Sequence, residues 1–572
     1  MKFTEKYNNW VTNEYISQQD KAELIQIKDD HDEIKDRFYK DLEFGTGGLR
    51  GIIGIGTNRI NIYTVRKATQ GFASHLLRTY KNADIQGITI AYDSRHYSDV
   101  FAKEAALVLA GNGIKCYLFK SIRSTPELSF AVKHMGCAGG IVITASHNPS
   151  EYNGYKVYNE YGGQITLDHA ISIISEINKI IDWNSIKYLD EQQAIKEGLL
   201  EIIGVDVDEE YISKVVNFIQ SKRIGDQCKD LKIVYTPLHG TGLIPVTACL
   251  ERLGYKDVHI VQSQAKADGG FPTVKSPNPE EHDVFEEGIK LAHSLDADII
   301  LGTDPDCDRV GVVVKNDEGN YIVLSGNQVG ALLVKYMMNA TSDISEKLVV
   351  IKTIVTSDLG AVIAKAHGAS IINTLTGFKY IGEQIELLEQ EKSREFLFGY
   401  EESYGYLAGT FVRDKDAVIA CSLIVEMASL YKKEGKSLYD ALQEIYIEYG
   451  FYFDALDTFV FKGLDGQKQM KSIMGRCRKQ GELYSAFENI RYVEDYMSKT
   501  TQYENGELKQ NIQLPTTDVI KIIFGDNSWI AIRPSGTEPK LKVYYSILGD
   551  SQAEAKNRFS LIKYQISDFL NF

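Results

Sequence analysis

Three short stretches put chemistry-bearing side chains at the ends of apolar runs. In GTDPDCDRV, Asp304, Asp306 and Asp308 stand at i, i+2 and i+4, a spacing that in extended backbone turns all three carboxylates to one side. Two carboxylates about 5 Å apart repel by roughly 3 kcal/mol at an effective dielectric of about 20, so three that converge need a cation. Hard oxygen donors suit Mg2+, which keeps positions open for a phosphate oxygen or water. A solvated acidic loop is the plainer alternative, but a buried-type ILG run delivers these aspartates and Arg309 follows them. The EF-hand spacing of a calcium loop is missing.

In GGIVITASHNPSEYNGYKV, an apolar run stops at Ser146, His147, Asn148 and Pro149. Alone, this reads as turn chemistry, since Ser and Asn bond their own backbone. AIRPSGTEPKLKVYY offers Arg533, Ser535, Gly536, Thr537, Lys540 and Lys542. Arginine provides a fork for phosphate, and hydroxyls and glycine amides add neutral donors. The same residues would also make an ordinary hairpin turn. No Walker A pattern is present, so a nucleotide P-loop is not supported. GTGGLRG sets Arg50 among glycines, where backbone can approach a ligand closely. TGFKYIG (Thr376, Gly377, Lys379) and GYEESYGY (Glu401, Ser403) join small residues to polar groups, and Lys415 lies just beyond. Glu401 and Ser403 suit sugar hydroxyls, and Lys379 or Lys415 a phosphate.

The elements that must position these loops alternate. ITIAYD, FAKEAALVLAGNG, CYLF, PELSFAVKHMG and GGIVIT give a βαβαβ rhythm, which implies a largely parallel sheet covered by helices. The rhythm returns from Leu231 to ADIILGTD and from Leu348 to REFLFGYEES. The tail from DVIKIIFGDNSWIAIRPSG onward reads as adjacent strands and then a helix from Ala553 to Leu570, a smaller α+β unit. The expected division is 1–205, 206–322, 323–450 and 451–572. Ahead of the first unit, Glu14–Leu42 is charged with helical spacing. Ligands of open α/β sheets bind beyond the carboxyl ends of strands, so TASHNP, GTDPDCDR and GYEES could face one composite site.

At 572 residues the chain exceeds one core. A net charge of −15 makes nucleic acid and anionic membranes poor partners while leaving room for small anions at a local basic cluster. Seven singly spaced cysteines without CxxC argue against a disulfide framework and a structural zinc site. The N-terminus lacks an apolar h-region and no run reaches transmembrane length, so a reduced, cytoplasmic protein is expected.

Taken together and in this order, TASHNPSEYNGYK, DPDCDR, GYEES and RPSGTEPK resemble the α-D-phosphohexomutase superfamily, nearest its longer phosphoglucomutase and phosphopentomutase branch. The resemblance covers essentially the whole chain and is strengthened by GTGGLRG, LHGTG and TGFK. It implies four domains around a central cleft, three of them related α/β mixed-sheet units. It implies that Ser146 is a phosphoserine, and that Asp304, Asp306 and Asp308 hold one Mg2+ with a Ser146 phosphate oxygen. Lys156 would transfer a proton, with its pKa lowered to do so. His147 would border the site and Arg50 would lie near the transferring phosphoryl group. Arg309, Thr376, Gly377, Lys379, Glu401, Ser403 and Lys415 would contact substrate, and Arg533, Ser535, Gly536 and Thr537 would grip the phosphate that is not reacting. The activity implied is interconversion of glucose 1-phosphate and glucose 6-phosphate through a bisphosphate, with glucose 1,6-bisphosphate as activator and a monomer or weak dimer as the assembly. Tyr404, Gly405 and Tyr406 stand where the dual-specificity branch commonly has a histidine, which disfavours mannose. Phosphopentomutase, phosphomannomutase and glucose 1,6-bisphosphate synthase are alternatives. Outside the class stand a metal-dependent phosphatase and a non-enzymatic sugar-phosphate sensor.

Overall fold

Apolar runs bounded by turn residues become the strands of four sheets in the computed structural model, which describes residues 2–45, 47–225, 227–461, 463–535 and 540–570, without the side chains of 463–465, 467 and 480. The first sheet holds β1 (Gly48–Ile52), β2 (Ile88–Tyr92), β3 (Cys116–Phe119), β4 (Gly139–Ile143), β5 (Tyr152–Asn159) and β6 (Leu200–Ile203), in the order β1-β5-β4-β2-β3-β6. The second holds β7 (Ile233–Thr236), β8 (Val258–Ile260), β9 (Ile299–Thr303), β10 (Val310–Lys315) and β11 (Tyr321–Leu324), in the order β11-β10-β9-β7-β8. The third holds β12 (Leu348–Thr353), β13 (Ser370–Thr374), β14 (Glu395–Glu401) and β15 (Gly405–Ala408), in the order β13-β12-β14-β15.

All three sheets share one plan. A parallel group ends in an antiparallel return strand, β4 to β5, β9 to β10 and β14 to β15. The sheets are therefore mixed, and the serine, aspartate and GYEES loops are the connections at which each parallel group passes into its antiparallel return strand. Parallel strands buried on both faces account for the unbroken apolar runs GGIVI and IILGT.

The fourth sheet is antiparallel throughout. It contains β16 (Phe451–Val460), β17 (Ile490–Asp495), β18 (Thr500–Tyr503), β19 (Leu508–Lys509), β20 (Ile520–Phe524), β21 (Trp529–Pro534) and β22 (Lys540–Gly549), with the helix Gln552–Leu570 packed against β22 and β16.

One apolar cluster runs through the first three sheets, from Val142 and Tyr158 through Tyr235 and Val312 to Ile351 and Phe398. The fourth sheet has its own core around Ile522, Ile530, Ile532 and Val543. It joins the third through Ile354, Val355 and Leu375 against Trp529, Ala531 and Tyr544. Buried Lys521 donates to the Ile354 carbonyl at 2.8 Å and Trp529 Nε1 to Asp358 Oδ2 at 3.0 Å across the same contact.

The helical spacing of Glu14–Leu42 resolves into two helices, Gln18–Gln26 and His31–Phe38, behind a first helix Phe3–Thr12. The break comes where Asp30 caps the third helix by accepting the Glu33 N–H at 3.0 Å. Among the described residues no helix is long and apolar enough to cross a membrane.

Candidate active site

Between β9 and β10 the chain turns instead of extending. Cys307 has φ +54°, and its N–H donates to the Asp304 carbonyl at 2.9 Å. The three carboxylates thus converge through a tight turn, not through the extended spacing expected from the sequence. One oxygen from each lies within 4.8 Å of the others. Asp304 Oδ1 accepts the Asp308 and Arg309 N–H groups, each at 3.0 Å. Asp306 Oδ2 accepts from Thr125 Oγ1 and Lys156 Nζ, each at 2.9 Å, and Asp308 Oδ2 lies 3.0 Å from Lys415 Nζ.

Burial and the neighbouring Asp306 and Asp308 charges push Asp304 well above the usual carboxylate range. Burial also opposes ionisation of Asp306, but the Lys156 ammonium and three side-chain hydrogen bonds bring it below that range. Asp306 Oδ1 and Asp308 Oδ1 are buried with no hydrogen-bond partner among the described residues. Orphaned anionic oxygens are costly, and converging hard donors with open lone pairs fit a divalent cation. From behind, Thr241 holds the Pro305 carbonyl through its N–H and Oγ1, both at 2.9 Å. A Cβ on Gly240 would come 2.4 Å from Pro305 Cα, so glycine is required there.

The serine loop follows fully buried β4. Thr144 Oγ1 accepts the Ser146 N–H at 2.7 Å and donates to Asp93 Oδ2 at 2.6 Å. Ser146 has φ +53°, a left-handed conformation that costs roughly 1–2 kcal/mol for a residue with a Cβ. Buried Arg95 holds it there. Its guanidinium donates to the carbonyls of Ser146 (2.6 Å), Pro149 (2.8 Å), Tyr152 (3.0 Å) and Asn148. Ser146 Oγ donates to Asp304 Oδ2 at 2.8 Å and lies 3.1 Å from His147 Nδ1. Burial, with Arg309 and Arg50 nearby, holds His147 neutral, well below its ordinary pKa.

Arg50 Nη1 donates to Asn148 Oδ1 at 3.2 Å from β1. It pairs with Gly154 as Gly48 pairs with Lys156, so Arg50 and Lys156 share one face of the sheet. Burial works against the Lys156 charge, yet Asp306 and Asp308 (2.9 and 3.6 Å) prevail and its pKa is raised. The lowered lysine pKa expected from the sequence is not found; the amine stands as an ammonium between two carboxylates.

The GYEES turn is stitched to the aspartate loop. Arg309 bridges to Gly405, and the Val310 N–H donates to the Tyr404 carbonyl at 3.2 Å. A Cβ on Gly405 would meet Lys415 Cδ at 2.2 Å. Lys415 in turn joins Asp308 to Asp414, at 3.0 and 3.2 Å. Burial raises buried Glu401 to about 7, against Lys415 and Arg309. Ser403 is half-buried beside it.

On the loop after β13, Thr376 Oγ1 is buried without a hydrogen-bond partner among the described residues. Gly377 opens the helix Phe378–Glu391, and burial lowers Lys379 to about 8. The β21–β22 hairpin pairs Arg533 with Lys542, and the Ser535 N–H donates to the Lys540 carbonyl at 2.7 Å. Arg533 Nη1 donates to the Tyr544 hydroxyl at 3.4 Å. Burial lowers Lys542, with Glu280, Arg533, Glu402 and Arg309 all close enough to act on it. Lys542 therefore faces Arg309 and Glu280 of the aspartate-loop region. Gly536 and Thr537 lie outside the described residues.

Phosphoglucomutase/phosphomannomutase profiles match in chain order: alpha/beta/alpha domain I over 41–183, domain II over 209–319, domain III over 325–449 and the C-terminal domain over 486–559. A phosphoglucomutase of Staphylococcus haemolyticus is 40% identical over 515 residues, 90% of this chain and 92% of that protein. The chain belongs to the phosphoglucomutase/phosphomannomutase family. The same fold is found in the open form of pp63/parafusin, a phosphoglucomutase from Paramecium, with TM-score 0.69, 16% identity and coverage of 93% and 95% of the two chains. It is also found in an Aspergillus fumigatus N-acetylphosphoglucosamine mutase in complex with GlcNAc-6P and magnesium, with TM-score 0.50, 13% identity and coverage of 93% and 96%.

Within this family framework, several residues that hold the site were not singled out from sequence. Asp93 and Arg95 follow β2 as the aspartates follow β9, and a D-x-R at a strand end was the available signal. Thr125 sits 181 residues from Asp306, and nothing local marks it. Ser276 donates to the His147 carbonyl at 2.7 Å, and Glu280 pairs with Arg309.

Proposed function

We propose that the protein is a phosphoglucomutase, an isomerase that interconverts glucose 1-phosphate and glucose 6-phosphate, with Ser146 as its phosphoryl carrier. The observation that carries this reading is the 2.8 Å hydrogen bond from Ser146 Oγ to Asp304, in a chain 40% identical to a curated phosphoglucomutase. A phosphatase that used an aspartate as nucleophile would leave the rigid serine turn without a task.

In this reading Ser146 gives its phosphoryl group to the free sugar hydroxyl, the bisphosphate turns in the cleft, and the other phosphate returns to Ser146. Phosphoryl transfer relies on positioning and charge stabilisation, and both are built in. Arg95 and Thr144 fix the nucleophile, and Arg50 lies beside it for the transferring group. Asp304, Asp306 and Asp308 would hold one Mg2+, which when bound offsets charge on the transferring phosphoryl group. Lys156 would pass the proton to and from the sugar hydroxyl, a role that needs Mg2+ to share the Asp306 and Asp308 charge that otherwise holds the amine as an ammonium. Neutral His147 borders the nucleophile. Glu401 and Ser403 take sugar hydroxyls, and Thr376, Gly377, Lys379, Arg309 and Lys415 line the substrate's path. Arg533 and Ser535, with Gly536 and Thr537, grip the resting phosphate.

The four units, divided near 205, 322 and 450, enclose the cleft. Glucose 1,6-bisphosphate primes Ser146, a monomer or weak dimer suffices, and seven unpaired cysteines suit the cytoplasm. The test is a panel of glucose, mannose, ribose and deoxyribose 1-phosphates with catalytic bisphosphate supplied. The expected result is the highest kcat/KM for glucose 1-phosphate; a pentose or mannose preference would reassign the substrate.

A further inference from the structure

The segment from Phe271 to Glu281 belongs to no sequence motif considered above, yet it touches three parts of the site. The Phe271 ring lies 4.9 Å from the Arg95 guanidinium that pins the serine loop. Ser276 Oγ donates to the His147 carbonyl at 2.7 Å. Glu280 accepts from Arg309 Nη1. Arg309 is otherwise built for an anion. Its side chain is 15% exposed, its Nε is buried with no hydrogen-bond partner among the described residues and only a long 3.9 Å ion pair to Asp308 Oδ1, and its backbone is locked to Gly405. Glu280 differs: at 30% exposure it has solvent to withdraw into. Glu280 also heads the charges acting on Lys542, whose strand partner is Arg533. One carboxylate therefore sits where cations of the second and fourth units converge.

We propose that Glu280 is an internal anion that holds Arg309 in the free protein and yields it to the phosphate of the substrate. This rests on the reading of Arg309 as a substrate contact. Without Glu280 the buried guanidinium would keep only the 3.9 Å contact to Asp308, and an under-paired buried charge is costly, so an exchangeable carboxylate keeps the site intact between ligands. A phosphate dianion that accepts a charge-assisted fork outcompetes a single carboxylate. The same exchange serves a bisphosphate that turns within the cleft: Arg309 must release one group before it takes another, and Glu280 is positioned to hold it in the interval. Glu280 thus sets affinity by competition, at a cost in ground-state binding.

Calorimetric titration of the full chain with glucose 6-phosphate, and separately with inorganic phosphate, tests this. Glu280→Gln and Glu280→Ala are expected to bind both about two- to ten-fold more tightly and to lower KM, the scale of a partly exposed ion pair. The gain should vanish when Arg309→Gln is added. A purely structural ion pair predicts the opposite, weaker binding with a lower Tm. Unchanged or weaker binding in both Glu280 variants, with Arg309→Gln still impaired, overturns the proposal and leaves the functional reading standing. Normal binding by Arg309→Gln overturns both, because Arg309 would then not be the anion's site.

Discussion

The loop Asp304–Arg309 and the described strand ends of the β21–β22 hairpin, 533–535 and 540–542, both present polar groups, and they are held in opposite ways. The aspartate loop is buried and tied from three units at once: Thr125 and Lys156 from the first, Thr241 from its own, and Lys415 and Gly405 from the third. Arg533, Ser535 and Lys542 on this hairpin are half-buried and extend from an antiparallel sheet anchored on the third unit through Lys521, Trp529 and the apolar cluster around Ile354. In the proposed function the difference separates two tasks. Groups that act on a transferring phosphoryl must be fixed to within tenths of an ångström. A group that holds the far phosphate of a sugar presented in two orientations gains from looser attachment.

The comparison breaks most sharply at Asp306. Asp306→Asn removes a donor from the triad and half the charge facing Lys156, so mutase turnover should fall by about 10^3-fold or more. Excess chelator should do the same to the unaltered protein, with Mg2+ restoring it. Near-normal rates in a coupled assay under either condition would remove the cation from the account.

Arg95→Lys probes rigidity without touching the reacting atoms. A lysine keeps the charge but cannot serve four carbonyls, so kcat should drop about 10- to 100-fold with KM little changed. Circular dichroism and Tm measured alongside separate a displaced Ser146 from an unfolded chain. If kcat and Tm were both unaffected, the claim that Arg95 sets the serine turn would be lost.

Arg533→Ala acts at the looser end and should give the smallest effect. KM for glucose 1-phosphate is expected to rise about ten-fold through loss of a charge-assisted contact, while Tm stays within about a degree because the side chain is half-buried. A larger loss in kcat than in KM would mean that the hairpin is as tightly built into the chemistry as the aspartate loop.

What could be seen in the sequence follows the same division. Ser146 and the three aspartates were legible because each loop is short and delivered by a fully buried strand, so residue type and position coincide. The alternation of strands and helices was legible for the same reason. The turn at Cys307 was not, because a left-handed residue other than glycine or asparagine has no compositional mark. Arg95 was missed because its partners are backbone carbonyls, which every residue owns. The raised pKa of Lys156 was also beyond reach, since it depends on two aspartates about 150 residues away in sequence. Glu14–Leu42 showed helical spacing, but its break awaited the Asp30 cap.

The central claim is that Ser146 carries the phosphoryl group, and intact-mass and peptide-mass measurement after exposure to glucose 1,6-bisphosphate tests it most directly. The account predicts one phosphate adduct on the peptide containing Ser146, discharged by glucose 6-phosphate or glucose 1-phosphate, and neither adduct nor turnover in a folded Ser146→Ala variant. An adduct on Asp304, Asp306 or Asp308, or turnover that survives in Ser146→Ala, would contradict it.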